Sequence, residues 1–312
     1  MSATARNVTV DQALTNISVA YTPEGLVADM VVPKIPVAKD TGIYWEWSRS
    51  DDFRNFNGQD LRAPGAESKT IDWSTSEKTF SCEEYSLNTM IDDRTKKNAD
   101  SVLNLEISKT KRLKNTLMLS REARVAALFT DVNNFASTNK VTLSGTSQWN
   151  DAGYTGNIVK EIDVAKEAVR KQIGRRPNTI IIPEAVADVM KNDKNIIELL
   201  KYTKGDMLEN GDLPKKLRGM NVVIAGAVLN LAADGATDNI ADVWGKNVVL
   251  AYINPNPMTD DISFVYGFRS QDEQIMKWRE DQKKADFYEN SYIEDVKVVS
   301  NIAAYLIKNC IA

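Results

Sequence analysis

"GIYWEWSRSDDFRNFNGQDLRAPGAESKTIDWS", Gly42 to Ser74, begins and ends on alternating aromatic segments, and between them runs 22 residues, Ser48 to Lys69, with no period of their own. Connections inside compact domains usually take about two to six residues, and structureless ones beyond about 15 are functional or disordered. Ile43, Trp45 and Trp47 fall on one face of a strand and Tyr44 and Glu46 on the other, and Ile71 and Trp73 resume the pattern. The stretch therefore reads as an extended β-hairpin with a long charged tip. A two-stranded hairpin alone is only marginally stable in water, and this one shows large aromatics on one face, so other surfaces must cover it.

Upstream, "NISVAYTPEGLVADMVVPKIPVAKDTG" interleaves short apolar groups with Pro23, Gly25, Pro33 and Pro36. These breakers predict an arm running over a surface, with one short helical turn around "EGLVADM". Downstream, no glycine or proline occurs from Ala66 to Ser144. Leu113, Leu117, Val125, Leu128 and Val132 recur near multiples of 3.6, which predicts one long amphipathic helix over about 100–133, capped by Asp100 or Ser101 and stopped at Asn133-Asn134. At 1.5 Å per residue it is roughly 50 Å long, the spine of an elongated subunit. The basic cluster "KTKRLK", Lys109 to Lys114, reads as a solvated face of that helix.

The second half changes character. "NIVKEIDVAKEAVRKQIG" is an amphipathic helix closed by Gly174, "NTIIIP" a buried strand, and "PEAVADVMKND" a helix with Pro183 at its first turn. A helix around "NIIELLKY" and strands "MNVVIAGAVLNL" and "DVWGKNVVLAYI" complete an α/β unit. Extended segments follow: "ISFVYGFRS", "QIMKWREDQ", "EDVKVVSN" and "IAAYLIKN". The last of these lack partners unless they pair with residues before 155, so the α/β unit is expected to be inserted into a discontinuous domain.

The 312 residues are 43% hydrophobic and 26% charged, a globular balance with room for one large or two ordinary domains. The longest apolar run, Val222 to Ala233, is too short to span a bilayer, and "MSATARNVTVDQ" lacks the apolar stretch of a signal peptide, so no membrane is expected. There is no histidine, which removes Ser-His-Asp and Cys-His arrangements, histidine zinc sites and imidazole bases. Carboxylate or lysine chemistry survives that exclusion. Cys82 and Cys310 have no metal-ligand spacing and read as reduced thiols. A net charge of −4 argues against a wholly basic nucleic-acid-binding surface and leaves contact through one local face open.

Motifs add little chemistry. The acidic pairs Asp51-Asp52, Glu83-Glu84, Asp92-Asp93 and Asp260-Asp261 put neighbouring side chains on opposite faces of a strand and read as surface charge. "DGATDN" lacks EF-hand spacing and reads as a turn, and "GDMLENGD" is not a phosphate loop. Lys246, in the apolar "VWGKNVVL", is a candidate for depressed basicity set against a snorkelling surface residue. No catalytic, cofactor or metal residue emerges, and the expectation is a structural protein rather than an enzyme. An arm, a projecting hairpin and a spine that each lack a core of their own are features of an assembly subunit.

In the order and spacing of "LTNISVAYTPEGLVADMVVPKIPV", "GIYWEW", "KVTLSGTSQWND", "RRPNTIIIPEAVADVMKND", "VWGKNVVLAYINP" and "VKVVSNIAAYLIKN", the chain resembles the major capsid (head) proteins of tailed bacteriophages. The resemblance implies an α+β Hong Kong 97-type capsid fold. Residues 1–40 would be the N-terminal arm, 41–78 the extended β-hairpin loop, 79–154 and 256–312 a discontinuous peripheral domain holding the spine helix, and 155–255 the inserted α/β axial domain. It implies pentamers and hexamers of an icosahedral virion shell around double-stranded DNA bound without sequence specificity, assembled in the bacterial cytoplasm. An encapsulin-like nanocompartment shell is the alternative. Because the arm begins at Met1, the scaffold is expected to be a separate protein, with a portal and a decoration protein as further partners. Lys69 and Asn57 match no cross-linking motif, so covalent cross-links are not expected. The assembly contacts are assigned to Val31 and Pro33 of the arm and to Trp45, Trp47, Arg49, Asp51, Asp52, Phe53, Arg54, Phe56, Arg62, Lys69 and Trp73 of the loop.

Overall fold

The computed structural model describes residues 9–20, 25–46, 53, 55, 57, 60–68, 70, 76–99, 102–200, 213–232, 235–257 and 261–312. The arm contains β1 (Thr9–Val10), α1 (Gln12–Ala20), α2 (Ala28–Val31) and β2 (Lys34–Pro36). The hairpin is β3 (Thr41–Glu46) with β4 (Ser76–Ser81), followed by β5 (Glu83–Asp92), α3 (Asp93–Asn98) and the spine α4 (Val102–Thr130). Next come β6 (Lys140–Thr142), α5 (Ile158–Ile173), β7 (Thr179–Pro183), α6 (Glu184–Lys191), α7 (Lys194–Leu200), β8 (Lys216–Leu217) and β9 (Met220–Ala225). The chain continues through β10 (Val228–Asn230), β11 (Ile240–Asp242), β12 (Val248–Ala251), β13 (Val265–Glu280), β14 (Ala285–Val298) and β15 (Ala304–Lys308).

Two sheets organise these elements. In the first, the strands run β1-β13-β14-β5, with β2 lying parallel to β13 at Gly267 to Arg269. The spine packs on it: Leu117 and Met118 bury Tyr292, and Phe129 meets Trp244 and Phe264 edge-on at 5.5 and 5.0 Å. The extended segments "ISFVYGFRS" and "QIMKWREDQ" turn out to be one strand, β13, whose register shifts between Arg269 and Gln274. The interruption mimicked a loop in the sequence pattern because a bulge breaks the two-residue alternation.

The spine ends at Thr130, three residues short of the expected limit, where Asp131 accepts from the amide of Asn133 and starts a separate 3-10 turn, Val132–Asn134. The arm holds more helix than expected. Asp11 Oδ1 accepts from Leu14 N at 3.0 Å to open α1, and Leu14 is buried among Ile91, Ile275 and Tyr288. Those contacts come from other elements, so the local pattern did not reveal the helix.

The second sheet runs β6-β15-β12-β7-β9-β8. Every residue of β7 is buried: Ile181 joins the core shared with Val249, Leu306, Phe129 and Trp244, while Ile180 and Ile182 join Ile158, Ile162, Met190 and Leu250 on the opposite side. Both faces are covered, so "TIIIP" reads as an unbroken apolar run. In α5, Asn157 Oδ1 caps Lys160 N at 3.1 Å, and Gly174 at φ 70° closes the helix by donating to Arg170 O at 2.8 Å. Pro183 sits at the N-cap of α6, one residue before the expected position. "MNVVIAGAVLNL" divides into β9 and β10 around Gly226, and "DVWGKNVVL" divides around Trp244 to Gly245. Lys246 therefore lies in an exposed turn, donating to the Ala312 carbonyl, and not in a strand. This sheet also draws β6 and β15 from either side of the 155–255 segment, since β15 pairs with β12 antiparallel and with β6 parallel.

Candidate assembly interface

The hairpin has two different faces. β3 and β4 pair from Thr41↔Ser81 to Glu46↔Ser76, so the returning strand lies beyond "TIDWS". Inward, Tyr44 and Phe80 pack on Phe268, with ring centroids 5.3 and 4.3 Å apart. That is about the geometry and distance at which aromatic pairs add stability beyond area burial. Gly42 lets Phe80 lie across the strand, since a Cβ there would stand 2.6 Å from its ring. Outward, Ile43 is 52% and Trp45 43% exposed.

At the tip, Leu61 is 89% exposed, and the Phe53 ring, half-exposed, rests near Gly174 at the end of α5. Arg62 turns back into the loop, its Nε donating to Ala66 O at 2.5 Å and its Nη1 to Ser68 Oγ at 3.4 Å. Trp47, Arg49, Asp51, Asp52, Arg54, Phe56, Lys69 and Trp73 lie outside the described residues.

The arm is fastened by charged groups that the sequence reading passed over. Glu122, fully buried on the spine, accepts from Ala28 N at 2.8 Å, from Val27 N at 3.1 Å and from Trp244 Nε1 at 2.7 Å. It satisfies the orphan amides at the start of α2 and joins the arm, the spine and the turn between β11 and β12 at one carboxylate. Beside it, Arg121 grips Glu294 of β14 and reaches Asp29 of α2 at 3.1 Å. Burial pushes the Glu294 carboxyl up, but the hydrogen bonds and charge of Arg121, with Arg269, outweigh it and hold the group below the ordinary carboxylate range. Asp29 is held low in the same way, by Arg121 and Lys34 against burial. Arg121 sits four residues after Leu117 and four before Val125, on the apolar stripe itself, and that position was the available signal.

Two assigned arm residues change meaning here. Val31 is fully buried in its own subunit's core with Val27, Phe129 and Phe264, so it faces no neighbour, whereas the adjacent Met30 is 68% exposed. Pro33 is half-buried, and its carbonyl accepts from Gly267 N at 2.9 Å. Gly267 is needed for that approach: a Cβ there would stand 2.9 Å from Glu294 Oε1 and 3.0 Å from Val32 Cγ1. Of the acidic pairs, Asp92 caps α3 through Thr95 and Asp93 pairs with Arg279 at 2.7 Å, both structural roles. Among the described residues, no group of three or more His, Cys, Asp or Glu side chains could hold a metal ion, and no helix is long and apolar enough to cross a membrane.

No family model matches the chain. It is similar to the major capsid protein of Pseudomonas phage JBD67, 28% identical over 245 residues that cover 78% of this chain and 77% of that protein. It is also similar to the major capsid protein of Burkholderia phage BcepMu, 30% identical over 78% of this chain and 76% of the relative. Among solved structures, a phage-related protein from Bordetella bronchiseptica RB50 superposes with a TM-score of 0.74 at 23% identity, covering 98% of this chain and 99% of that one. The mature capsid of bacteriophage PhiM1 gives a TM-score of 0.58 at 9% identity, covering 99% and 92%. The SrpI encapsulin of Synechococcus elongatus PCC 7942 gives 0.54 at 12% identity, over 99% and 92%. The structural likenesses establish the α+β Hong Kong 97-type fold, and the sequence likeness over three-quarters of both partners establishes descent: this chain belongs to the bacteriophage major capsid protein family.

Proposed function

We propose that copies of this chain gather into pentamers and hexamers and close into the icosahedral shell of a phage head around double-stranded DNA. Membership of the capsid family supports a structural role in the virion. The observation that carries the mechanism is the outward hairpin face: Ile43, Trp45 and Leu61 are apolar, exposed and left uncovered by their own subunit. A neighbouring copy supplies the missing cover, in a heterologous contact repeated around each ring. Each contact is modest and their sum is multivalent.

In this reading residues 1–40 act as the arm, 41–78 as the loop laid over an adjacent subunit, 79–154 and 256–312 as the peripheral domain and 155–255 as the axial domain meeting its copies at the symmetry axes. The exposed Val228, Leu231 and Ile240 of the β10–β11 hairpin suit such axial contacts. Met30 takes the arm position that Val31 leaves. The protein acts by association and not by catalysis. A portal protein is a further partner of the shell, and a decoration protein binds it once finished.

The test is expression with and without the loop segment Phe53 to Ala66, followed by negative-stain microscopy. The full chain should give closed shells and the deletion should give folded subunits that stop at small oligomers. Shells of unchanged stability from the deleted chain would refute the loop's role. An encapsulin-like shell shares the fold, and the content of purified particles separates the two readings: packaged duplex DNA supports the head, and an enzyme cargo supports the compartment.

A further inference from the structure

The basic cluster of the spine divides in two. Lys114 turns inward, buried, with its Nζ 3.2 Å from Glu273 and donating to the Ser18 carbonyl. Arg112 points outward and Lys109, one turn before it, is half-exposed, with exposed Ser108 and Thr116 on the same side of the helix. Among the described residues neither Lys109 nor Arg112 has a carboxylate within ion-pair reach. The two acidic residues of α4 are both engaged elsewhere: Glu106 takes a hydrogen bond from Tyr288 and pairs with Lys96, and Glu122 holds the arm. Arg94 and Lys97 on α3, both exposed, add positive charge at the same end of the spine.

This face also lacks what a protein contact needs. None of the exposed large apolar side chains of the described residues lies on α4. A protein interface buries apolar and aromatic anchors and is depleted of charge at its core. Lys, Arg, Ser and Thr side chains free of nearby carboxylates are the groups that contact phosphate and sugar.

We propose that the outward face of the spine helix around Lys109 and Arg112 contacts the phosphate backbone of duplex DNA without reading sequence. The inference rests on the DNA-enclosing reading above, and it places this face on the side of the shell that meets the packaged duplex. Two direct contacts give a log–log salt slope near −2, and so about a tenfold loss of affinity between about 50 and about 200 mM salt. So shallow a contact holds DNA against the wall and still lets it slide, which suits a chain whose net charge is −4.

The experiment measures anisotropy of a labelled duplex of about 30 bp of mixed sequence against the purified subunit and against shells over that salt range. The unaltered chain is compared with Lys109→Gln/Arg112→Gln, with the charge-keeping Lys109→Arg/Arg112→Lys, and with Lys160→Gln, an exposed cation on the inserted unit. The glutamine pair should flatten the slope by about two units, while the charge-keeping pair and Lys160→Gln leave it unchanged. An unchanged slope in the glutamine pair, an equal loss in Lys160→Gln, or stronger competition from polyglutamate than from unlabelled duplex would each overturn the inference, the last in favour of an acidic protein partner. Shell formation is scored separately. If no variant forms shells yet the subunit shows the expected slopes, the shell reading fails and the phosphate face stands; if shells form and the slopes do not differ, the phosphate face fails alone.

Discussion

Arg121 and Glu294 face each other fork to fork: Nε and Nη2 donate to the two carboxylate oxygens at 2.6 and 2.7 Å across 173 residues of sequence, and both side chains are buried. The pair locks the spine to β14, and Arg269 stands 3.3 Å from the same carboxylate. Removing one partner of a buried ion pair leaves an uncompensated charge, which costs about 3–5 kcal/mol. Arg121→Met should lose about that much in urea denaturation of the subunit. A loss below about 1 kcal/mol would show that Arg269 alone suffices.

The same carboxylates set a pH dependence. Glu294 and Asp29 are held below their ordinary values in the folded chain, so the unfolded chain binds more protons as pH falls, and stability rises with pH through that window. The contribution is complete above the ordinary carboxylate range and fades as pH falls below about 4 through the folded values. Denaturation midpoints measured at a series of pH values should decline on that side, and Glu294→Gln should flatten the decline while lowering stability at neutral pH.

Glu122→Ala strips the partner from Val27 N, Ala28 N and Trp244 Nε1 together. Each hydrogen bond to a charged group is worth about 1.5–3 kcal/mol, so the arm should loosen well before the sheets do. Limited proteolysis should cut within residues 1–40 much faster in the variant, with a red shift of Trp244 emission. An arm as resistant as before would mean that β1, β2 and the buried valines hold it without the carboxylate.

Gly174 carries two separable demands. Its φ of 70° disfavours any side chain, and a Cβ would stand 2.9 Å from the Phe53 ring. Gly174→Ala should lower stability by about 1 kcal/mol for the backbone alone and by more with Phe53 present. Melting curves of the single variant and of the Phe53→Ala/Gly174→Ala double variant separate the parts; identical shifts would mean that the ring moves aside freely.

The two thiols should differ in reactivity. Burial pushes the Cys310 thiol up to about 12, and Cys82, half-buried, is raised chiefly by burial and then by Asp295 and Asp40. The thiolate is the reactive form, so a thiol reagent at neutral pH should modify Cys82 slowly and Cys310 only as the chain unfolds. Prompt modification of both would contradict the burial.

Segments with a strong period were legible from sequence. The spine stripe at Leu113, Leu117 and Val125, the α5 stripe closed by Gly174, and the unbroken "TIIIP" each announce helix or strand locally, and the structure buries them accordingly. The hairpin's two faces followed from the alternation of Ile43, Tyr44 and Trp45. What escaped depends on partners distant in sequence. α1 is helical because β13 and β14 receive Leu14, and Glu122 is buried because the arm brings it amides. Val31 looked like arm surface because breakers surround it, yet the core that takes it comes from the spine and from Phe264. Within "KTKRLK", composition could not tell the inward Lys114 from the outward Arg112, and only the helix phase against Glu273 separates them.

β15 lies between β12 and β6, pairing with β12 over residues 304–307 and with β6 over residues 306–308, so β6 cannot join the second sheet until residues 304–308 emerge from the ribosome. Until then β12 and β6 present open edges of the kind that recruit unrelated strands. A nascent chain halted before Ala304 therefore cannot complete this sheet. The sheet thus closes on the strand that stands farthest along the sequence among its members, so its completion follows the release of β15. Pulse-labelled chains should become protease-resistant only once β15 has been released, and resistance before that point would show that the remaining strands suffice.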